Sequence, residues 1–270
     1  MIEATTLLDA ATAVLNAGAP PDKTAAAARA QRLLAEGASL GEQPESGFPA
    51  RPARPAKPLL APPSEVPRRR LGCEAGRAAL LHAIAHIEFN AIDLAFDMAA
   101  RFAGEIRGSG LDAQAFVADW IGVGADEARH FTMISQRLGV LGAEYGDFPA
   151  HGGLWEAAEN TAGSVAARLA VAPLILEARG LDVTPNMVRK LTAAGDRESA
   201  AILQIIYDEE IGHVGCGKRW FHAICIAEGR EPAARFHALK ARYFQGVLKP
   251  PFNYAARDKA GLPRAFYEPK

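Results

Sequence analysis

Apolar residues recur every three or four positions over most of the chain, the spacing of one face of an α-helix. The clearest series is Leu80, Ile84, Ile87, Ala91, Leu94, Ala95 and Met98. Alternating runs of β-branched residues, typical of strands, are few. The pattern therefore predicts an all-α fold with four long helices, over residues 74–106, 112–138, 154–179 and 196–228.

The connections between these helices indicate how they are arranged. The short link at 107–112 requires antiparallel neighbours, whereas the link at 139–153 has five glycines and Pro149 and is long enough to cross a bundle. Thr184 and Pro185 look like the N-cap and first turn of an extra short helix. A last helix is predicted at 232–247, followed by an aromatic, proline-bearing tail at 249–270 that we expect to wrap the bundle.

Two compositionally distinct segments precede the long helices. Residues 1–40 are alanine-rich and predict a helical preamble of two short helices, broken at 18–21. Residues 41–73 are rich in proline, which excludes a regular helix or a central strand. This segment is either a strap across a hydrophobic surface, which Leu59 and Leu60 favour, or a flexible linker. The basic triplet 68–70 is interpreted as anchoring the strap or binding a surface acid, in preference to binding RNA. The predicted domains are thus 1–40, 41–73, 74–228 and 229–270.

Composition narrows the classes of function. Formal net charge is −1 over 270 residues, which argues against duplex nucleic acid and anionic membrane surfaces as partners. The three cysteines include no CxxC pair, so neither a disulfide framework nor a thiolate zinc site is expected. Glu3 and Asp9 lie where a signal peptide would be basic, and no apolar run of membrane-spanning length is evident. A cytoplasmic protein without a membrane segment is expected.

One motif occurs on two of the predicted helices. Glu127 and His130 lie three residues apart on the second helix, and Glu210 and His213 on the fourth. Residues at i and i+3 share a helix face, so each pair can offer an oxygen and an imidazole to one metal. A solvated Glu with a core His explains most single occurrences. Two copies within apolar sequence are harder to explain in that way, because buried Glu and His need partners.

The first and third helices each contribute one further acid within an apolar run. These are Glu88 and Glu177. An antiparallel helix pair brings each of them level with one of the paired motifs, so we expect all six side chains at one buried site. Four carboxylates balance the charge of two divalent ions, and an oxygen-rich donor set with two imidazoles suits Fe or Mn better than thiolate-loving metals.

These residues resemble those of the ferritin-like di-iron carboxylate proteins, in which two helices each give a Glu and two others each give a Glu-x-x-His motif. The resemblance covers roughly residues 74–228. The segments HIEFNAIDLAFD, DEARH and EARGLDVTP look most like a bacterial branch related to the di-iron tRNA hydroxylases. It implies a ferritin-like four-helix bundle with a long second-to-third crossover and two irons, or manganese. The implied metal ligands are Glu88, Glu127, His130, Glu177, Glu210 and His213.

The resemblance also implies an outer layer around the metals. Asp126 and Glu209 each precede a ligand and would accept the second ring-nitrogen proton of the histidine in the other motif. Arg129 could neutralise these acids. Ordinary surface charge is the alternative for all three residues. His86 lies two residues from Glu88, on another helix face, and is interpreted as a core or interface histidine.

The function implied by the resemblance is that of a non-haem di-iron oxidoreductase, an O2-dependent monooxygenase or hydroxylase. The four glutamates, Glu88, Glu127, Glu177 and Glu210, would be its catalytic carboxylates. The substrate is an unknown small or RNA-linked molecule: near-neutral charge disfavours nucleic acid, but tRNA stays open. No nucleotide, flavin or iron–sulfur motif is visible, so electrons would come from another protein. The alternatives are an iron-handling ferroxidase or peroxide scavenger and, more remotely, a metal-free helical interaction module. The oligomeric state is left open.

Overall fold

The computed structural model describes residues 4–43, 47–65 and 71–268. All regular secondary structure in these ranges is helical, and the one β-bridge among them pairs Leu60 with Ala150. The all-α prediction is confirmed. The chain divides into two compact units, unit 1 within Met1–Gly104 and Asp112–Gly153 and unit 2 within Glu105–Leu111 and Leu154–Lys270. This division cuts across the predicted domain 74–228, and the predicted domain organisation stays a prediction.

Unit 1 contains the predicted preamble and the first two long helices. The preamble forms α1 (Leu7–Asn16) and α2 (Pro20–Ala35), with Pro20 at the first helical position, where its missing N–H costs nothing. The long helices are α3 (Glu74–Gly108), whose last residues belong to unit 2, and α4 (Ala113–Val140). The carboxylate of Asp112 caps α4 by accepting a hydrogen bond from the Ala115 amide.

Helix α3 corrects one sequence expectation. Its most apolar 18-residue window has a mean hydropathy of 1.3, so by length and composition it is long enough to cross a membrane. However, 89% of that window is buried inside the molecule, as in the core helix of a soluble protein, which passes the same test. Buried acids such as Glu88 and Asp93 interrupt the apolar residues of this helix, so no continuous apolar run marks its length in the sequence.

Helices α3 and α4 approach closely at Gly124. A Cβ atom built on Gly124 would lie 2.5 Å from Cε2 of Phe96, closer than real carbon contacts. Glycine at this position therefore lets the Phe96 ring pack directly on the backbone of α4, one turn before Glu127. The contact fixes the spacing of the two helices beside the candidate ligands.

The described part of the proline-rich segment is anchored along its length in unit 1. The Ala53 amide donates to the Leu15 carbonyl at 2.7 Å, and Arg101 of α3 donates to the Pro49 carbonyl at 3.0 Å. The expected reason for this docking is wrong, since Leu59 and Leu60 are 71% and 58% exposed and hydrogen bonds hold the segment. Residues 44–46 and 66–70, which include the basic triplet, lie outside the described residues.

Unit 2 departs most from prediction at the third long helix. The expected helix 154–179 is instead α5 (Gly153–Asn160), α6 (Val165–Val171), a π-helical turn (Ala172–Glu177) and α7 (Ala178–Ala193). Ser164 caps α6, and the buried Arg168 donates to the Ala158 carbonyl at 2.7 Å and so satisfies the end of α5. The break is stable because these groups replace the missing helical bonds.

One of the two prolines in this region, Pro173, explains the π-turn. Pro173 has no N–H to donate, and the wider π-turn accommodates it where a regular helix would lose a bond and meet a clash. The prediction that Pro185 begins a separate short helix is wrong, because α7 runs through Pro185 without interruption to Ala193.

The remainder of unit 2 comprises α8 (Arg197–Ala227), α9 (Pro232–Tyr243), α10 (Tyr254–Lys259) and α11 (Arg264–Tyr267). The last two are short helices within the segment that was predicted as a tail. Arg257 joins the tail to α7 by donating two hydrogen bonds, of 2.7 and 2.9 Å, to the buried Asp182 carboxylate. The guanidinium also lies 4.4 Å from the centre of the Tyr267 ring.

Candidate metal centre

Unit 1 brings three of the six predicted ligands together. Glu88 of α3 and Glu127 and His130 of α4 are all buried, with exposed fractions of 4% or less. His130 Nδ1 lies 3.2 Å from Oε2 of Glu88 and 3.4 Å from Oε2 of Glu127. Their potential ligand atoms are all within 4.8 Å of one another. This buried Glu–Glu–His group could hold a metal ion.

Burial and the close approach of charges shift the pKa values of the residues in this group. Burial raises the pKa of Glu88 well above its ordinary value, and the negative charge of Glu127 raises it further, while His130 opposes both. Burial disfavours a charged imidazole, but the hydrogen bonds with Glu127 and Glu88 outweigh it and raise the pKa of His130 to about 11. A proton held between buried carboxylates occupies the place that a cation would fill, and a metal must displace it.

Unit 2 contains the second copy of the motif, with nearly the same Glu–His distance as the first. His213 Nδ1 lies 3.5 Å from Oε1 of Glu210, at the i and i+3 positions of α8. His213 is buried and Glu210 half-buried. Glu177 is half-buried at the end of the π-turn. Within the described part of unit 2 alone, no three acidic, histidine or cysteine ligand atoms form a group as compact as that of unit 1.

A close approach in unit 2 sets the π-turn against α8. A Cβ atom built on Gly217 would lie 2.4 Å from Cβ of Pro173. Glycine one turn after His213 therefore allows the π-turn, and with it Glu177, to come near the helix that carries Glu210. π-turns occur frequently at functional sites, where they redirect a side chain.

The three residues of the predicted outer layer are at least partly exposed on α4 and α8. Arg129 donates to Oδ1 of Asp126 at 3.1 Å within α4, and both side chains are 43% exposed. Glu209 is half-buried on α8. Their pairing with the histidines of the opposite motif stays a prediction.

Sequence reasoning did not predict that two further acids of α3, both after Glu88, would be buried and paired with basic residues. Asp93, at 0% exposure, pairs with Lys23 of α2, and the buried Asp97 pairs with Arg101. Both acids follow Glu88 on α3 but lie on other faces. An isolated lysine in a polar segment, such as Lys23, gives no sequence signal of burial. The aspartates did give one, since two acids within an apolar helix need partners.

Comparison with known proteins places the chain in a family. The family described as "Protein of unknown function (DUF455)" matches residues 16–268. The chain belongs to the DUF455 family. A relative from Haemophilus influenzae (strain ATCC 51907 / DSM 11121 / KW20 / Rd), described as "Uncharacterized protein", is 46% identical over 208 residues, which cover 76% of this chain and 71% of the relative. No solved structure matches the chain.

The DUF455 match includes all six predicted ligands. It begins at the last residue of α1 and ends just after α11, so α2, the described strap and the described tail lie within the matched sequence. The family description names no activity.

Proposed function

We propose that this DUF455 protein is a ferritin-like di-iron carboxylate oxidoreductase. The carrying observation is the buried group of Glu88, Glu127 and His130, which matches half of such a centre in residue type and helix placement. The second motif, Glu210 and His213, supplies the same donor pair on α8, and Glu177 is the remaining carboxylate. In the proposal the six side chains hold two metal ions.

The donor set fits the metals proposed. Carboxylate oxygens with imidazole nitrogens suit Fe or Mn, and four carboxylates neutralise two divalent ions, so the loaded centre can remain buried. When bound, a pair of redox-active irons supplies the activation of O2. The protein's own contribution is to hold the ligands on rigid helices, to exclude water and to give up the proton held by His130 as the metal enters.

Among di-iron functions we propose an O2-dependent monooxygenase or hydroxylase, with electrons delivered by another protein. A strap and a tail that are hydrogen-bonded to the helices support an enzyme with an enclosed substrate, in preference to a bare bundle for iron storage. The substrate would be a small molecule or an RNA-linked group. Storage or detoxification of iron is the competing function.

Aerobic titration with Fe(II) tests this choice. The wild-type protein should retain iron to a plateau near two per chain, because buried carboxylates hold the oxidised metals in place. A storage protein would instead oxidise iron continuously and accumulate many more ions per chain. The variant Glu127→Gln keeps the shape of the side chain but removes its charge, and it should lower the plateau. Many-fold loading of the wild type would overturn the oxygenase proposal in favour of storage.

A further inference from the structure

A cavity of about 300 Å³ lies under the strap in unit 1. One wall is the strap itself, over residues 54–60, and the other comprises His86 and Phe89 of α3 with Tyr145 of the loop after α4. The volume is at the small end of the range for ligand pockets. All the lining residues belong to unit 1.

The strap wall is fixed by hydrogen bonds on both sides of the cavity. The Ala61 amide donates to the Ala150 carbonyl at 2.8 Å, and the Ala150 amide donates to the Leu59 carbonyl at 3.0 Å. At the other end, Arg54 donates to Oδ1 of Asn90 on α3 at 2.6 Å. The cavity is therefore a built feature of the fold and does not depend on side-chain contacts alone.

Three polar side chains line the cavity, and one of them carries a permanent charge. The Arg54 guanidinium has five donors in a planar fork that suits a carboxylate. His86 is 5% exposed and shares a hydrogen bond of 2.9 Å between its Nδ1 and the Tyr145 hydroxyl. The buried Nε2 of His86 makes no hydrogen bond of normal geometry, although the His151 backbone interacts with this ring.

The rest of the lining is apolar. It includes the Phe89 ring and the side chains of Pro58, Leu59 and Leu60. The two leucines are the most exposed large apolar residues of the described strap, and the cavity gives them a role that packing does not. An apolar wall with a few convergent polar groups is the usual composition of a small-molecule site.

We propose that this cavity binds a small carboxylic acid with an apolar or aromatic body, its carboxylate on Arg54 and its body between Phe89 and the strap. The buried His86 offers a second polar contact to the acid group. None of these residues is a proposed metal ligand, so binding of the acid in this cavity does not depend on the proposed di-iron function.

One residue of the cavity wall, Phe89, is next in sequence to a candidate metal ligand. Phe89 follows Glu88 along α3 and packs on Phe131, with ring centres 5.2 Å apart. Phe131 in turn follows His130 along α4. If the bound acid is also the substrate, which rests on the proposed function, Phe89 is the lining residue that is next to a proposed metal ligand along the chain.

Binding of two matched probes to the metal-free full-length protein tests the proposal. Calorimetry would compare 3-phenylpropionate with 3-phenylpropanol, which has the same body without the charge. We expect saturable binding of the acid, about tenfold tighter than the alcohol, because charge-assisted hydrogen bonds exceed neutral ones. Equal affinities, or no saturable binding of the acid, would overturn the proposal.

Two variants then locate the binding. Arg54→Gln should lower the affinity for the acid to that for the alcohol and leave the affinity for the alcohol unchanged. Release of the strap from Asn90 would instead weaken both probes, so the unchanged alcohol affinity distinguishes loss of the charge from loss of the cavity wall. Leu60→Glu places a negative charge at the rim of the cavity, on a residue 58% exposed, and should weaken the acid more than the alcohol. Val140→Glu, at a site 73% exposed outside the cavity, is the control and should change neither affinity.

The results of these binding experiments and of the iron titration can fail independently of each other. Persistence of the preference in Arg54→Gln would overturn the cavity assignment, whatever the iron content. A protein that discriminates the acid but retains no iron would support the cavity and contradict the di-iron centre.

Discussion

The ammonium of Lys23 lies 2.5 Å from Oδ1 of Asp93, and neither side chain is exposed to solvent. Lys23 also donates to the Val14 carbonyl at 2.9 Å, so it joins α1 and α2 to α3. Burial lowers the pKa of Lys23 and raises the pKa of Asp93 to about 6, in each case more than the partner's attraction compensates. The pair thus sets the position of the preamble more than it stabilises the fold.

This balance predicts a non-additive mutant cycle. Lys23→Met should destabilise the protein by about 3–5 kcal/mol, because it leaves a buried carboxylate without its cation. The double variant Lys23→Met with Asp93→Leu should recover most of that loss, since no buried charge remains. Denaturant unfolding of the wild type, both single variants and the double variant measures the coupling. Additive losses would contradict the account.

The same cycle has a pH dependence with a defined sign. Without Lys23, the pKa of Asp93 rises above its wild-type value of about 6, further from the 3.8 of an exposed aspartate. The folded variant then holds a proton that the unfolded chain releases, so its stability increases as pH falls. The stability gap between wild type and Lys23→Met should narrow as pH is lowered toward 6. A stability difference that does not change with pH would mean that the variant does not hold a charged carboxylate at a buried Asp93.

The contact of Gly124 with Phe96 predicts that replacing glycine by alanine has opposite effects on stability at two nearby positions of α4. Gly124→Ala should destabilise by about 1–3 kcal/mol, because the added methyl overlaps the Phe96 ring and separates α3 from α4. Gly122→Ala meets nothing within 4 Å and should stabilise by up to about 1 kcal/mol through helix propensity. Thermal unfolding compares the two variants, and the same sign for both would refute the close approach.

The bond between Arg257 and Asp182 predicts how the tail is held. Arg257→Met removes the nearer of the two cations that contact the buried Asp182 carboxylate and leaves Arg179 at 3.3 Å. It also removes the bonds between the tail and α7, so proteases should cleave within residues 244–268 faster than in the wild type. Arg264→Met removes a solvent-exposed pair with Asp258 and serves as the control. Equal cleavage of the two variants would show that the Arg257 bond does not hold the tail.

The outer layer of the proposed metal centre gives a prediction about metal affinity. Asp126→Ala should weaken metal loading by roughly 10–100-fold, the usual effect of removing a group that orients a ligand histidine. Asp119→Ala, on the same helix but outside the proposed centre, should leave loading unchanged. Competition with a chelator at limiting metal provides the comparison. Unchanged metal occupancy in Asp126→Ala would mean that this acid does not orient a ligand histidine and only forms its surface pair with Arg129.

Hydrophobic spacing predicted most of the helices, because it records which faces are buried. It placed α3, α4 and α8 to within about three residues, a typical precision for helix ends. The π-turn at Pro173 and the break before Val165 were not predictable in this way. They depend on tertiary contacts, such as Arg168 on the Ala158 carbonyl and Gly217 against Pro173, that local periodicity does not encode.

The candidate site was predictable where two signals coincided, a motif spacing and an apolar context. Glu127 and His130 met both conditions, Glu88 met the second, and the three lie together in unit 1. Arg54 met neither, since it stands in a proline-rich segment whose position depends on backbone bonds to Ala150 and on the side chain of Asn90. A cavity formed by a strap is a property of the folded chain, and residue types alone do not indicate it.

Metal content per chain tests the central claim most directly. The protein would be loaded with Fe(II) without oxygen, freed of loosely bound metal and analysed for iron, with Glu127→Gln and Glu210→Gln alongside. Glu144→Gln, an acid outside both motifs, is the control. The account predicts two irons per chain for the wild type and the control and fewer for each of the two motif variants, because each motif supplies one Glu-x-x-His pair to a shared centre. Retention of no iron by the wild type, or full retention by both motif variants, would contradict it.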